Sequence, residues 1–556
     1  MAAEAVSEAP VVQESSLEEL PFLVLFDGWA SLFRDRVVPW RIALSDRLRS
    51  QLERELLPAF VAKRRWYAAK GEAVRQAEIA DQVEWKPGDR SWLVAAVRVA
   101  SADGDEQPYF LPLTIAFEDA DERLLRSLSP VAISRVRQHS SVGILADAFS
   151  DEGFVRAVLQ AVRDGITVKT ARGTLRFNPT DAFTRLAGTD FANLPVSLAG
   201  AASSNTIIAV GDRLFVKGYR RLQAGTNPEL EIGRYLTDVV HFEHSVPIAG
   251  SVDYLAEDGR TATLMLVQGY VTNQGDAWDY TLNYLGHYFE ELARGAATAT
   301  GVDVHNGYVT LMNTLGTRTA ELHAAFARST GDPMFDPVAL TEADVASWVQ
   351  SVRKEATVTI DLLAKQRDAL AEPLRADADR LLAQRERLLA RIGAHAKDRS
   401  TGAKTRLHGD YHLGQVLVTQ NDFAIIDFEG EPSRKIAERA QKHSALKDVA
   451  GMLRSFDYAL HAAASAFLAG RPDARDAVAQ GGRQWRQLAT AAFLDGYDGT
   501  AARSQGLASA RAEERRLLEL FMLEKGVYEL RYELGNRPEW VAIPIAGLVE
   551  MLEQGN

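Results

Sequence analysis

Between Leu407 and Glu431 the chain reads LHGDYHLGQVLVTQNDFAIIDFEGE, a stretch that limits the possible folds more than any other. An acidic residue, Asp410, follows a glycine. Five positions on comes an amide, Gln415, opening an apolar run; after the polar break at Gln420-Asn421-Asp422 a second run ends at another acidic residue, Asp427. Two short runs around such a break read as a hairpin. A carboxylate in a turn, followed by an amide and a carboxylate carried by a hairpin, has the spacing of a phosphoryl-transfer site. Moving the terminal phosphoryl of ATP onto a hydroxyl needs little covalent help. It needs a carboxylate to orient or receive the hydroxyl proton, and oxygen ligands to hold Mg2+ against the phosphates. Asp410 suits the first task. Gln415 and Asp427 suit the second, because magnesium takes hard oxygen donors and retains several waters.

HGDYHLGQ resembles the catalytic loop H-R-D-x-x-x-x-N of protein kinases, and IIDFEG resembles their D-F-G, with Gln415 in place of Asn and Glu429 in place of Gly. An H-G-D loop with no activation segment is typical of small-molecule kinases of the aminoglycoside and choline type, which implies a small acceptor and not a protein. The competing reading is a hairpin with ordinary surface carboxylates, and it leaves the matching of all three positions unexplained.

Composition narrows the alternatives. A chain of 556 residues has room for a large core and two to four domains. A net charge of −12 argues against a sequence-independent nucleic-acid binder, which needs a basic face to displace counterions. With no cysteine there is no disulfide, cysteine zinc site or thiol catalysis, which fits a reducing compartment. No run is long enough to span a membrane, and the start MAAEAVSEAPVVQESS lacks a basic region and an apolar one, so a cytoplasmic enzyme is expected.

Residues 1–20 read as a disordered tail or linker, 21–190 as an N-terminal cap and intermediate region, 191–270 as a small lobe of kinase type and 271–556 as a helical large lobe. Arg47 to Phe60 has helical periodicity through Leu48, Leu52 and Leu56. After it, Lys63, Arg64, Arg65, Trp66 and Lys70 either contact a sugar or phosphate or simply end a helix at Gly71. Glu78 to Phe117 alternates and breaks like antiparallel strands, and Asp151 to Val162 reads as a helix.

Gly200 to Tyr219 carries two β-rich runs around Gly211-Asp212, a two-residue hairpin signal, with Lys217 ending the second run. Ser203, Ser204 and Asn205 stand where a phosphate-covering loop would lie, and Lys217 where a phosphate-pairing lysine would. Asn227 and Pro228 open a helix with two glutamates; Glu231 is the preferred partner for Lys217. TATLMLVQ, ending at Gln268, reads as the strand leading to an adenine-binding hinge, and Asp276 follows where a carboxylate could meet a ribose or a sugar. Helical periodicity dominates from Thr281, including one helix over Leu374 to Ile392. The resemblance to kinase-like folds implies that Asp448, at the start of an apolar helical pattern, caps the catalytic loop backbone, and Arg434, Lys435, Arg439, Lys442 and Lys447 form a basic patch.

RRWYAAKG (Arg64 to Gly71), NPELEIGRYL (Asn227 to Leu236), QGDAW (Gln274 to Trp278), LGTRTAELHAAF (Leu315 to Phe326), HGDYHLGQVL, IDFEGEP, LKDVAGMLRSFDYA and EKGVYELRYELGNRPEW together resemble the maltokinases, over about Leu48 to the C-terminus. The earlier LPFLVLFDGWASLFRDRVVPW is similar to the junction in trehalose synthase–maltokinase fusions. The resemblance implies an α+β, bilobal protein-kinase-like fold: a mixed small lobe with an antiparallel sheet, a mainly α-helical large lobe and an N-terminal cap domain. It implies ATP and Mg2+ as cofactors, direct in-line phosphorylation of maltose to maltose 1-phosphate on the way to glycogen or α-glucan, and association with trehalose synthase. Gln415 and Glu429 become usual residues of the family. Tyr528, Arg537 and Trp540, a mixture able to stack on sugar faces and bind hydroxyls, become candidates for the acceptor pocket, together with His412 and Glu431 beside the loop. A kinase for another small sugar or aminosugar, or a silent regulatory domain of a fused trehalose synthase, are the alternatives.

Overall fold

The structure, a computed structural model, describes residues 17, 19–25, 40, 43–69, 72–118, 122–198, 204–295, 305–397, 402–431, 434–504 and 511–553. Most of the tail expected at residues 1–20, most of the junction-like segment, Lys70, Gly71 and Ser203 lie outside them. The chain divides into two compact units, residues 1–234 with 247–270 and residues 235–246 with 271–556.

The first unit contains two sheets. The six-stranded sheet runs, in spatial order, Phe22–Leu25, Ala132–Gln138, Ser141–Asp147, Glu106–Phe117, Trp92–Ser101 and Val74–Trp85; its first pair is parallel and the others antiparallel. Leu52, Leu56, Leu57 and Phe60, from the helical stretch after Asp46, pack with Leu93, Val97 and Tyr109 into one core. A second core gathers Trp85, Trp92 and Phe110 with Phe154, Val158 and Leu159 of the helix Glu152–Asp164 and with Ile208, Val216 and Met265 of the other sheet. That helix begins where its residues favour it: the Asp151 carboxylate accepts the Gly153 N–H at 2.9 Å, and Gly165 ends it with φ 61°.

The seven-stranded antiparallel sheet runs Thr167–Lys169, Gly173–Pro179, Ile248–Ala256, Thr261–Gly269, Leu214–Gly218, Thr206–Val210 and Val196–Leu198. The hairpin at Gly211 (φ 57°) pairs Val210 with Leu214, so its connection is Gly211-Asp212-Arg213 and not the two residues expected. Lys217 lies opposite Leu266 on the neighbouring strand.

The second unit is mainly helical. The helices Asn306–Phe326 and Arg475–Ala501 touch backbone to backbone because glycines meet there: a methyl group at Gly316 would lie 1.9 Å from the Phe493 carbonyl oxygen, and one at Gly496 would lie 2.0 Å from that of Asn313. The helices Glu342–Gln366, Leu446–Gly470, Arg511–Asn536 and Ala542–Glu553 share a core through Val349, Ile360, Ala450, Leu520 and Leu548. The single helix expected over Leu374 to Ile392 is two, Glu372–Ala383 and Arg385–Ala394, because Gln384 leaves helical geometry (φ −98°, ψ 10°). Among the described residues no helix is long and apolar enough to cross a membrane.

Candidate active site

In the first unit the sequence builds a fixed lysine. The Asn227 side chain accepts the Glu229 N–H at 2.8 Å and starts the helix Pro228–Arg234, which turns Glu229 inward until it is 2 % exposed. One Glu229 oxygen accepts both Lys217 Nζ and the Tyr219 hydroxyl at 2.7 Å, and the other accepts Gln268 Nε2 at 3.1 Å. A carboxylate this buried is tolerable only with its lone pairs occupied, and here they are. The partner of Lys217 is therefore Glu229 and not Glu231, which had been preferred. Two residues correspond to about 200° around a helix, so the two glutamates cannot share a face. Gln268 commits its side-chain amide to this cluster. Ser204 is exposed and Asn205 half-buried, both just ahead of the strand Thr206–Val210.

In the second unit the catalytic-loop sequence is an irregular turn held at both ends. Asp448, buried in the helix Leu446–Gly470, accepts the His408 and Gly409 N–H groups, each at 2.9 Å, and lies 3.3 Å from His323 Nε2. His408 Nε2 meets the Ile426 carbonyl at 2.8 Å, tying the loop to the backbone just before Asp427, while the Leu413 N–H reaches the Ser455 hydroxyl. Gly409 (φ 86°) is required by its conformation and by its neighbour: a methyl group there would stand 3.3 Å from Gly430 Cα. Asp410 is thus a half-buried residue on a backbone that cannot drift.

Burial raises the Asp448 carboxyl, but the hydrogen bond from His323, the nearby imidazoles and the Gly409 N–H outweigh it and hold its pKa below the ordinary value. A depressed folded-state pKa gives stability that is complete above the unfolded value and lost as pH falls through the folded one. Asp448→Asn is expected to lower unfolding stability by about 1–3 kcal/mol at pH 7. The gap should narrow as the pH falls below about 4, the unfolded carboxylate range. Urea midpoints at pH 7, 5 and 3 check this; a gap that widens in acid would contradict it.

The hairpin Val416–Thr419 and Asp422–Ile425 delivers the second acidic residue as its spacing predicts, with Asp427 two residues beyond the strand end at φ 63°. A left-handed aspartate is uncommon, and its surroundings hold it there. Gln415 Nε2 donates to Asp427 Oδ2 at 3.2 Å, which leaves the amide carbonyl for a cation, and carboxylate oxygens of Asp427 and Glu429 come within 4.8 Å of each other. This set of hard oxygens fits Mg2+. His412 caps the turn Leu413–Gln415 by accepting the Gly414 N–H at 3.1 Å; burial lowers its imidazole, and the charges of Asp410 and Lys525 act on it in opposite directions.

One residue that sequence reasoning missed stands closest to the loop carboxylate. Lys525 Nζ, from the helix Arg511–Asn536, is 3.5 Å from Asp410 Oδ1 and 5.2 Å from the centre of the Tyr528 ring. Burial works against its charge, but Asp410, Glu529 and Glu431 outweigh it and raise its pKa. Its position within EKGVYEL was a signal of helical spacing: Lys525, Tyr528, Glu529, Tyr532 and Glu533 recur at three- and four-residue intervals along one side of the helix. Tyr528 stacks near Tyr532 at 6.4 Å, Glu529 binds Arg454 through two guanidinium nitrogens, and Glu533 accepts both Arg537 and the Tyr458 hydroxyl. Trp540 stacks on Tyr458 at 6.2 Å, and Arg537 lies over the rings of both Trp540 and Tyr532.

The remaining candidates have structural duties. Asp276 caps the helix Ala277–Ala293 by accepting the Asp279 N–H at 2.8 Å. Glu431 pairs with Arg434, which also approaches Glu524, itself paired with Lys447. Arg439 binds the Glu429 and Arg434 carbonyls and Lys442 that of Pro333, so the basic patch largely pins local backbone.

Comparison with known proteins extends this geometry. Residues 60–151 match the model of the maltokinase N-terminal cap domain, and residues 196–489, more than half of the chain, match that of the phosphotransferase enzyme family. A glucosamine kinase of Streptacidiphilus jiangxiensis is 28% identical over 352 residues, covering 63% of this chain and 72% of that protein. A glucosamine kinase of Mycolicibacterium smegmatis is 26% identical over 353 residues, covering 63% and 78%. The solved structure of a glucosamine kinase in complex with glucosamine, ADP and inorganic phosphate superposes with a TM-score of 0.56 at 21% identity, covering 90% of this chain and 99% of that one; another crystal form gives 0.59 at 22%, covering 90% and 98%. At such identities the likeness establishes the fold, α+β and kinase-like with an N-terminal cap domain. On the lysine–glutamate pair, the catalytic loop and the extent of the match, the chain belongs to the phosphotransferase enzyme family.

Proposed function

We propose that this chain is a maltokinase, transferring the terminal phosphoryl of ATP directly to maltose to give maltose 1-phosphate. The observation that carries this reading is the charged and aromatic face running from Asp410 through Lys525 and Tyr528 to Trp540. Lys525 to Glu533 is about 12 Å by the helical rise, the span of two hexose rings rather than one. Asp410 orients the acceptor hydroxyl and takes its proton as the hydroxyl oxygen bonds to the γ-phosphorus and the bridging P–O bond to ADP breaks. Lys217, fixed by Glu229, pairs with the nucleotide phosphates. Asp427 and Gln415 are the residues that would hold Mg2+, with Glu429 beside them. When bound, the metal neutralises charge on the phosphate oxygens. Product entering α-glucan synthesis, a cytoplasmic location and an association with trehalose synthase belong to the same reading.

The names of the relatives favour a second reading, glucosamine as acceptor. Against it stands Lys525, an ammonium beside the loop carboxylate where an aminosugar would bring another cation. An ATP-consumption assay with maltose and glucosamine offered separately separates the two: turnover with glucosamine alone would replace the first reading by the second. If maltose stacks on the terminal aromatics, Trp540→Ala raises KM for maltose roughly tenfold, the worth of one good aromatic contact, and leaves KM for ATP nearly unchanged. Unchanged KM for both substrates would move the acceptor away from Trp540.

A further inference from the structure

Asp448 has an orienting partner of its own. Its Oδ1 accepts the Gly409 N–H and its Oδ2 the His408 N–H, so both oxygens must face two successive loop groups at once. The terminal torsion of an aspartate is broad and roughly two-fold, and does not select that orientation by itself. Nor does the loop, because Gly409, at φ 86°, has the backbone freedom of a glycine and stands next to Asp410. A further donor is His323 Nε2, 3.3 Å from Oδ2. The ionised carboxylate only accepts, so Nε2 carries a proton there. On the other side of the imidazole the Tyr497 hydroxyl lies 3.0 Å from Nδ1, and the two rings meet edge-on, 5.6 Å apart at 74°. With His323 neutral, Nδ1 is an acceptor and the Tyr497 O–H donates to it.

This chain of polar groups is buried throughout, with His323 0 % exposed, Asp448 2 % and Tyr497 5 %. Buried polar groups that are all paired make a rigid unit. Its outer end is fixed as well: Tyr497 follows Gly496, whose missing side chain lets the helix Arg475–Ala501 lie against Asn313 of the helix that carries His323. One turn before His323, the Thr319 hydroxyl lies 2.9 Å from that of Tyr411, the residue after Asp410. The helix Asn306–Phe326 thus restrains the loop on both sides of Asp410.

We propose that His323 is a positioning residue for phosphoryl transfer: it holds the Asp448 carboxylate in the rotation that fixes the loop at Asp410, and Tyr497 holds His323. The inference rests on Asp410 as the residue that receives the acceptor proton. A carboxylate displaced by about 1 Å from its hydroxyl can lower the rate on the order of 10²-fold, and nucleotide affinity need not follow.

Two amide substitutions separate a positioned donor from mere polarity. The glutamine side-chain nitrogen falls near the place of imidazole Nε2 and reaches Asp448; that of asparagine falls near Nδ1 and does not. The measurements are kcat and KM for ATP at saturating maltose, or at saturating glucosamine if that is the acceptor. His323→Asn is expected to lower kcat about 10- to 100-fold with KM for ATP unchanged, and His323→Gln to stay within about threefold of the parent, at similar Tm for the two variants. In the Asp410→Asn background His323→Asn should lower kcat by less than about threefold, since the carboxylate it positions is gone. Should His323→Asn not fold, Tyr497→Phe decides, with an expected fall in kcat of about threefold to tenfold and KM for ATP again unchanged. Equal kcat for His323→Gln and His323→Asn, a KM for ATP that rises with the loss, or parental kcat in Tyr497→Phe would overturn the proposal. So would effects of His323→Asn and Asp410→Asn that add in full while Asp410→Asn is itself damaging. An Asp410→Asn variant with parental turnover strikes instead the reading on which the inference rests.

Discussion

Asp410→Asn is expected to lower turnover roughly 10²- to 10⁴-fold, about 3–5 kcal/mol of barrier, with ATP affinity little changed. The amide is nearly isosteric, so Asp448 still holds the loop through the His408 and Gly409 N–H groups. What disappears is the charge that, in the proposed mechanism, orients the acceptor hydroxyl and receives its proton. Lys525 sharpens the test. With the carboxylate gone, its ammonium, 3.5 Å away in the parent protein, loses its nearest counter-charge and should fall in pKa, since Asp410 is the largest influence raising it. The residual activity of Asp410→Asn should therefore depend on pH in the range where Lys525 titrates, and in Asp410→Asn combined with Lys525→Met that dependence should vanish. Single-turnover rates from pH 6 to 10 check both points. A turnover close to that of the parent would remove Asp410 from the mechanism.

The parts of the site that sequence reasoning reached are those set by local chain geometry. Asp410, Gln415 and Asp427 share one turn and one hairpin, so their spacing alone brings them together. Asp448 was accessible only through the resemblance to kinase-like folds, in which an acidic residue at this place caps the catalytic loop, and it does hold two loop N–H groups. What escaped depends on how elements rotate against each other. Glu229 and Glu231 lie in the same first helical turn, and only the docking of that helix beside Lys217 and Gln268 distinguishes them. Lys525 is separated from Asp410 by 115 positions, and no local pattern connects a helical lysine to a distant loop. The strands Ala132–Gln138 and Ser141–Asp147 were not assigned either, since they take their place in the sheet from long-range pairing, of Ser141–Asp147 with Glu106–Phe117 and of Ala132–Gln138 with Phe22–Leu25. The hairpin at Gly211 was recognised and its length was not, because the extra residue, Arg213, is fixed by contacts outside the turn with Asp190 and the Ala187 carbonyl.

Asp427→Ala should be the most damaging substitution, with turnover falling by more than about 10³-fold at any Mg2+ concentration, because positioning and charge neutralisation are nearly all that such a site contributes to phosphoryl transfer. The left-handed φ of 63° makes the experiment more telling. Alanine is strained there and aspartate less so, which would let a sceptic attribute the loss to a displaced backbone. Asp427→Asn answers that objection: asparagine tolerates the same conformation, keeps an oxygen and removes only the charge. If the carboxylate is a metal ligand, Asp427→Asn still loses most activity and the remainder shifts to higher Mg2+ or to Mn2+. Gln415→Asn keeps a carbonyl on a stem one methylene shorter and should be milder than either, shifting the metal requirement more than the limiting rate. Titrating Mg2+ and Mn2+ against turnover for the three variants separates the contributions. An Asp427→Asn variant with the parent's metal dependence would show that Asp427 shapes the turn beside His408 and Gln415, and that the cation ligands are to be sought at Glu429.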